Sequence, residues 1–256
     1  MTLWDELWEH YVNMTPQAKQ IHKLLKEKNE EIVNDHIALR TFDHEKIGIQ
    51  QLAQYFYEQE YYPGGVYSFP EKHLTAIHLE HDDKTRPKVF ISHLHIDKLS
   101  KENQELLEMV LSHVQETPQL LDRPWPAVTT EMYKKLEEES PYAAWVVAHG
   151  FIPNHFTISV NHLSSFNNIR ELNNFIKEQD IKLNLVGGEV KGSKGVYLEQ
   201  SATVADEIYV KFMDDTIAVP GCFYEFAQRF EQEDGTMYQG FIMENADKIF
   251  HSTDAK

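Results

Sequence analysis

The sequence predicts an α+β chain of two β-α-β-β-β modules around a shared pocket, with added N-terminal and central helices. Three observations point there. Two distant strand candidates open alike, Asp35-His36-Ile37 and Asn154-His155-Phe156. Each is followed by one helix and then by strands in the same order. The stretches before and between them carry helical rather than strand periodicity. The 256 residues are read as one structural unit. Its parts are N-terminal helices over 1–34, the first module over 35–97, a helical connector over 98–150, and the second module with a C-terminal tail over 151–256.

Residues 3–14 space Leu3, Leu7, Tyr11 and Val12 along one apolar helix face. Thr15-Pro16 then restarts a helix in cap-then-proline order, to about Ile32. From Asp35 to Phe42 the period is two: Ile37, Leu39 and Thr41 face one way, His36, Ala38, Arg40 and Phe42 the other. A helix over Ile47–Glu60 is predicted to break at Tyr61-Tyr62-Pro63-Gly64-Gly65. Strands are expected at Val66–Phe69, Leu74–His81 and Val89–Ile96. A helix over 98–115, an irregular proline-containing stretch over 117–127 and helices over 129–139 and 141–149 follow, the last ending at Gly150. The second module starts with an alternating strand over Asn154–Asn161 and a helix over Phe166–Gln179. Strands are then expected at Leu183–Val190, Val196–Glu199 and Glu207–Met213, with a last one over Phe223–Phe230.

Composition limits the chemistry. Twenty-four Lys and Arg against 41 Asp and Glu give a net charge of −17, which argues against a nucleic-acid binder. Cys222 is the only cysteine, so an intrachain disulfide and a thiolate metal cage are both excluded. The acidic opening MTLWDELWEHYVNMTP does not read as a secretory signal, and no apolar run approaches a membrane span, so a cytoplasmic location is expected. Fourteen histidines remain as the pool of metal donors.

His36 heads a strand face on which small Ala38 and then Arg40 follow, leaving room over the sheet for a metal and an anionic ligand; Arg40 suits a carboxylate. His155 holds the equivalent place in the second module, on a face with Thr157, Ser159 and Asn161. Glu225 lies between Tyr224 and Phe226, where a carboxylate needs a metal or a basic partner such as Arg229. Two histidines and a carboxylate on neighbouring strands would form a facial triad with open positions. His93 and His95 are rival donors, sharing a strand face in the last strand of the first module, and admit a zinc hydrolase instead. The segment Gly187–Gly195 lacks a phosphate-loop pattern and reads as a connection, with Lys191 and Lys194 as weak anion contacts.

Asp35-His36-Ile37-Ala38-Leu39-Arg40-Thr41-Phe42 resembles the opening motif of the DUF1338 family of 2-oxoadipate dioxygenase/decarboxylases, also called hydroxyglutarate synthases. Tyr224-Glu225-Phe226-Ala227-Gln228-Arg229 resembles that family's late glutamate motif, and the likeness runs through nearly the whole chain. The resemblance implies a vicinal-oxygen-chelate type of fold around a metal pocket. It implies Fe(II) held by His36, His155 and Glu225, with Arg40 contacting the substrate and serving catalysis. The implied reaction converts 2-oxoadipate and O2 to 2-hydroxyglutarate and CO2, a step of lysine breakdown. The implied partners are a small 2-oxo acid and O2, with no nucleic acid and no membrane. This chain is shorter than bacterial members, whose C-terminal extension has no match here, and His93 and His95 are not carried over as ligands.

Overall fold

The computed structural model describes residues 2–114 and 119–254. Two helices, α1 (Leu3–Met14) and α2 (Pro16–Glu27), lead into β1 (Asn34–Phe42). The first module continues with α3 (Ile49–Tyr57), β2 (Tyr62–Phe69), β3 (Leu74–Glu80) and β4 (Lys88–Leu94). Three connecting helices follow: α4 (Lys101–Leu111), α5 (Thr130–Glu139) and α6 (Pro141–His149). The second module is β5 (Pro153–Ser159), α7 (Ile169–Lys177), β6 (Lys191–Ser193), β7 (Leu198–Ala202), a hairpin β8 (Glu207–Lys211) and β9 (Thr216–Pro220), and β10 (Phe223–Arg229). The chain then turns into α8 (Met243–Ile249) and a 3-10 turn over Phe250–Thr253.

The eight-stranded sheet has the order β2-β3-β4-β1-β5-β10-β7-β6. Each half is the same motif, with the opening strand parallel to the closing one, β1 to β4 and β5 to β10. The halves join where β1 and β5 run antiparallel, pairing His36 with Thr157 and Ala38 with His155. This places the two Asx-His strands side by side at the centre of the sheet. Ile37 and Leu39 of β1, and Phe156 and Ile158 of β5, are buried on the face opposite the histidines. There Phe156 packs edge-on against Trp8 and at 4.8 Å from the Tyr11 ring, so α1 is held by the second module's core.

The structure differs from the sequence reading at four places. The helix ends before Tyr61 as expected, but β2 starts at Tyr62 and not at Val66, because β2 is an edge strand, where proline and glycine are tolerated. The glycines make room for the buried His78 imidazole: a Cβ at Gly64 would lie 2.3 Å from its Nε2. Leu183–Val190 is not a strand. Leu183 makes one bridge to Thr203, and Gly187 and Gly188 then take positive φ in a turn. Glu207–Met213 contributes β8, which leaves the main sheet to pair with β9, a strand the sequence reading lacked. The C-terminal region is no plain tail, because α8 packs on β2, β6 and β7. Of the expected helix over 98–115 and the irregular stretch over 117–127, residues 115, 117 and 118 lie outside the described residues.

The end of α6 carries a pH-sensitive contact. His149 is buried, and its Nε2 bonds the Pro220 carbonyl at 2.8 Å. Burial pushes this imidazole down to about 4, against the opposing pull of that carbonyl. An unfolded histidine titrates near 6.5, so the unfolded chain binds the extra proton first as pH falls. Stability from this residue is therefore full above about pH 6.5 and is lost down to about pH 4, by on the order of 3 kcal/mol. Urea unfolding at pH 7 and pH 5 should show a smaller pH difference in His149→Gln than in wild type; equal differences would exclude this origin.

Candidate metal centre

The alternation of β1 and β5 and the parallel register of β10 bring His36, His155 and Glu225 to one point. One ligand atom from each lies within 4.8 Å of the other two, and all three residues are buried. His155 Nε2 is 3.1 Å from Glu225 Oε2, and His36 Nε2 is 3.7 Å from Oε1. Donors at about 2.1 Å from one metal stand roughly 3 to 3.5 Å apart, so the spacing fits an ion with little rearrangement. The imidazoles meet nearly at right angles, at 84°.

Each histidine is oriented by the residue before it. His36 Nδ1 donates to Asp35 Oδ1 at 2.8 Å, and His155 Nδ1 to Asn154 Oδ1 at 3.1 Å. Both bonds assign the proton to Nδ1 and leave the Nε2 lone pair toward Glu225, the outer-shell arrangement of metal-ligating histidines. Thr157 Oγ1 meets His36 Nε2 at 3.1 Å and can donate to that lone pair. The repeated Asx-His pair thus has a physical reason.

Charge is balanced in two layers. Asp35 also accepts from Arg229 Nε and Nη2, at 2.7 and 2.9 Å. Burial raises the Asp35 carboxyl, but Arg229 and the bond from His36 outweigh it and hold it well below the ordinary carboxylate range. The basic partner considered for Glu225 therefore belongs to Asp35. Burial likewise raises Glu225, and His36, His155 and a 2.6 Å bond from Gln200 Nε2 bring it below its ordinary value. Burial lowers His155, against the pull of Glu225, and so favours the neutral imidazole that a metal needs. Gln200 is in turn fixed by Asn245 of α8 at 3.0 Å. Gln200 and Asn245 were not foreseen, since neither carries a local sequence signal.

The register shows why there are three donors. Thr157 pairs with Glu225 in the second module as Ala38 pairs with Phe90 in the first. Phe90 is therefore the counterpart of Glu225, and an apolar ring stands where a fourth protein ligand would be. Phe90, Ser92, Phe241, Ile249 and Phe250 wall the space over the three donors, with Phe241 edge-on to His36 at 4.8 Å. Phe241 through Phe250 form the cover that the sequence reading did not anticipate. The cavity beneath is about 30 Å³, enough for one or two waters, so a larger ligand requires this cover to shift.

Arg40 lines the same space and is only 2% exposed. Its Nη1 donates to Thr253 Oγ1 at 2.9 Å, its Nε has no hydrogen-bond partner among the described residues, and Tyr142, Trp145 and Phe250 surround its guanidinium at 5.0 to 5.5 Å. Burial lowers it to about 10, which leaves it charged at neutral pH. His93 and His95 lie elsewhere: Phe90 and Ser92 face the triad, so strand alternation puts His93 on the opposite face. Ser159 is buried at the end of β5, whereas Asn161 is exposed beyond that strand and bonds the Arg229 backbone. Lys191 is buried and its ammonium bonds the Asn184 carbonyl, while Lys194 lies over the Phe230 ring, so neither lines this cavity. Cys222 is buried against the Pro153 carbonyl.

Fold and site together define a vicinal-oxygen-chelate type of protein, two modules sharing a buried two-histidine, one-carboxylate centre that can coordinate a metal. The model of the 2-oxoadipate dioxygenase/decarboxylase family matches residues 3–124 and 113–234, and the chain belongs to that family. It is 34% identical to the chloroplastic 2-oxoadipate dioxygenase/decarboxylase of Arabidopsis thaliana, over 95% of this chain and 74% of that protein. The crystal structure of the Oryza sativa hydroxyglutarate synthase in complex with 2-oxoadipate superposes with a TM-score of 0.87 at 30% identity, covering 98% of this chain and 90% of that one. A Shewanella frigidimarina protein, provisionally described as a hydrolase, superposes at 0.88 with 43% identity, covering 94% of this chain and 96% of that one. No helix among the described residues is long and apolar enough to cross a membrane.

The two orienting bonds separate experimentally. Asn154→Ala frees the His155 ring without breaking an ion pair and should weaken metal binding about 10- to 100-fold with the fold retained. Asp35→Asn leaves Arg229 buried and should also destabilise the protein by about 3–5 kcal/mol. Metal titration and urea unfolding of both variants check this. Unchanged affinity in Asn154→Ala would remove the orienting role.

Proposed function

We propose that this chain is a non-haem Fe(II) dioxygenase that converts 2-oxoadipate and O2 to 2-hydroxyglutarate and CO2. The observation that carries the reading is the convergence of His36, His155 and Glu225 under the same cover as a buried arginine that makes no carboxylate ion pair among the described residues. The donor set, two neutral imidazoles and one carboxylate, suits Fe(II) and leaves positions free for a bidentate oxo acid and oxygen. Family membership and the likeness to the 2-oxoadipate complex support the substrate.

His36, His155 and Glu225 would hold the iron, which supplies the redox chemistry that joins O2 to the oxo acid. The reaction balances without an added reductant, since the substrate supplies the electrons. The bond from C1 to C2 breaks and C1 leaves as CO2. C2 becomes the new carboxylate with one oxygen atom from O2, and the adjacent carbon gains the other as a hydroxyl. Asp35 and Asn154 keep both imidazoles in the ligating tautomer. Arg40 receives a substrate carboxylate in place of the Thr253 hydroxyl and orients the acid along β1. Phe90, Phe241 and Phe250 keep bulk water from the reacting carbons. No side chain is needed as a general base.

His155→Ala and Glu225→Gln are expected to abolish oxygen uptake with 2-oxoadipate after anaerobic Fe(II) reconstitution. Full uptake by either would sink the triad. Arg40→Met should raise KM for the oxo acid about 10- to 100-fold, the loss expected for one charge-assisted contact, while iron content stays constant. An unchanged KM would remove Arg40 from substrate binding.

A further inference from the structure

The opposite face of the first module holds a second group of donors. Asp43 follows the end of β1, His93 lies near the end of β4, and His95 follows its last residue. Parallel pairing of β1 with β4 brings these ends together, and Asp43 N donates to the Leu94 carbonyl at 2.8 Å. One ligand atom from each of the three lies within 4.8 Å of the others. His95 Nδ1 is 2.9 Å from Asp43 Oδ2, and His93 Nδ1 is 3.8 Å from Asp43 Oδ1.

Two details distinguish this group from a surface Asp–His pair. First, Thr75 Oγ1 on β3 lies 2.8 Å from His95 Nε2. Here His95 Nδ1 donates to Asp43 Oδ2 and Nε2 accepts from Thr75 Oγ1; a metal that displaces the Nδ1 proton shifts the ring to the Nε2–H tautomer, whose proton Thr75 Oγ1 accepts in turn. Backbone bonding of His95 N to the His73 carbonyl holds the residue in place. Second, His93 Nδ1 is buried without a hydrogen-bond partner among the described residues, while its ring lies 5.0 Å from that of His95. A buried imidazole nitrogen left unpaired is costly, and a ligand placed among the three donors would satisfy it.

We propose that Asp43, His93 and His95 form a second metal site, separate from the buried triad, that binds a divalent transition ion. Two imidazoles and one carboxylate select zinc, cobalt, nickel or copper over magnesium and calcium, which prefer oxygen donors. Asp43 is half exposed, so water completes the coordination sphere. The site ties the ends of β1 and β4, which binds metal for stability and performs no step of the oxidation. Its occupancy is independent of substrate.

The test counts metal on untagged, metal-stripped protein titrated with Co2+ by calorimetry. Wild type should bind two equivalents and His95→Ala one, with oxygen uptake of the Fe(II)-loaded His95→Ala protein unchanged. His155→Ala, which breaks the triad, should keep one equivalent, and Thr75→Val in that background should bind it about 10- to 100-fold more weakly. Should the triad hold no metal, the count becomes one in wild type and none in His95→Ala, so the two sites are judged separately. Equal stoichiometry in wild type and His95→Ala would overturn the proposal. If His155→Ala does not fold, Asp43→Asn in the otherwise intact protein supplies the second variant and should also lose one equivalent; retention of both would overturn it equally.

Discussion

The structure depends on burying the Glu225 carboxylate at the centre of a sheet. The residue is 1% exposed and its strand neighbours Tyr224 and Phe226 are fully buried. An isolated carboxylate there would be prohibitively costly, so it must be compensated by charge and hydrogen bonds. The Gln200 amide donates one hydrogen bond, and an ion held between the carboxylate and two imidazole lone pairs would supply the balancing charge. The imidazoles are useful only if their lone pairs point inward, which requires a partner on each outer nitrogen. One partner is itself a charge, Asp35, and that brings in Arg229. The site is thus a chain of obligations that runs outward from one carboxylate and ends at carbonyls of Tyr238 and Gly240, which accept from Arg229.

The doubled module makes this arrangement possible at low conformational cost. Each opening strand is parallel to its own closing strand and antiparallel to its twin, so equivalent histidines arrive from opposite directions at one seam. A strictly symmetric protein would place like residues at Glu225 and Phe90. The chain departs from symmetry there and at the preceding residues, Asp35 and Asn154. One module carries the charged outer partner and the other the charged ligand, so the buried negative charges are separated into different compensating networks. The same departure leaves an apolar wall over part of the metal position.

Much of this was legible in local sequence. Period-two alternation gave the faces of β1 and β5 correctly, because both strands separate a polar pocket from an apolar core. The Asx-His repeat marked the two strands that meet. Long-range pairing was less legible: Arg229 stood on the same strand face as Glu225 and yet serves Asp35, 194 positions away. β2 was shortened because its Pro-Gly-Gly segment reads as a breaker unless its edge position and the His78 ring are known. The cover was missed for a related reason. Phe241, Ile249 and Phe250 make a short apolar set in a charged stretch, and only the surrounding cavity gives it meaning. The hairpin β8–β9 interrupts the second module between equivalent strands, which hid how closely the modules agree.

An acidic protein of net charge −17 repels a dicarboxylate at long range, so any such ligand must be held by a local field. Arg40, proposed for that role, is suited to it by what surrounds it. A buried guanidinium is commonly neutralised by a carboxylate, which would leave little attraction for a second anion. Here the rings of Tyr142, Trp145 and Phe250 stabilise the cation through their faces. That support preserves the positive charge without occupying the guanidinium fork, and its hydrogen-bond partner among the described residues is a neutral hydroxyl, that of Thr253. Exchanging that hydroxyl for a carboxylate would strengthen the bond to Arg40. The aromatic cage therefore serves as more than packing: it keeps a buried guanidinium charged without a carboxylate ion pair among the described residues, four residues along the same strand face from His36.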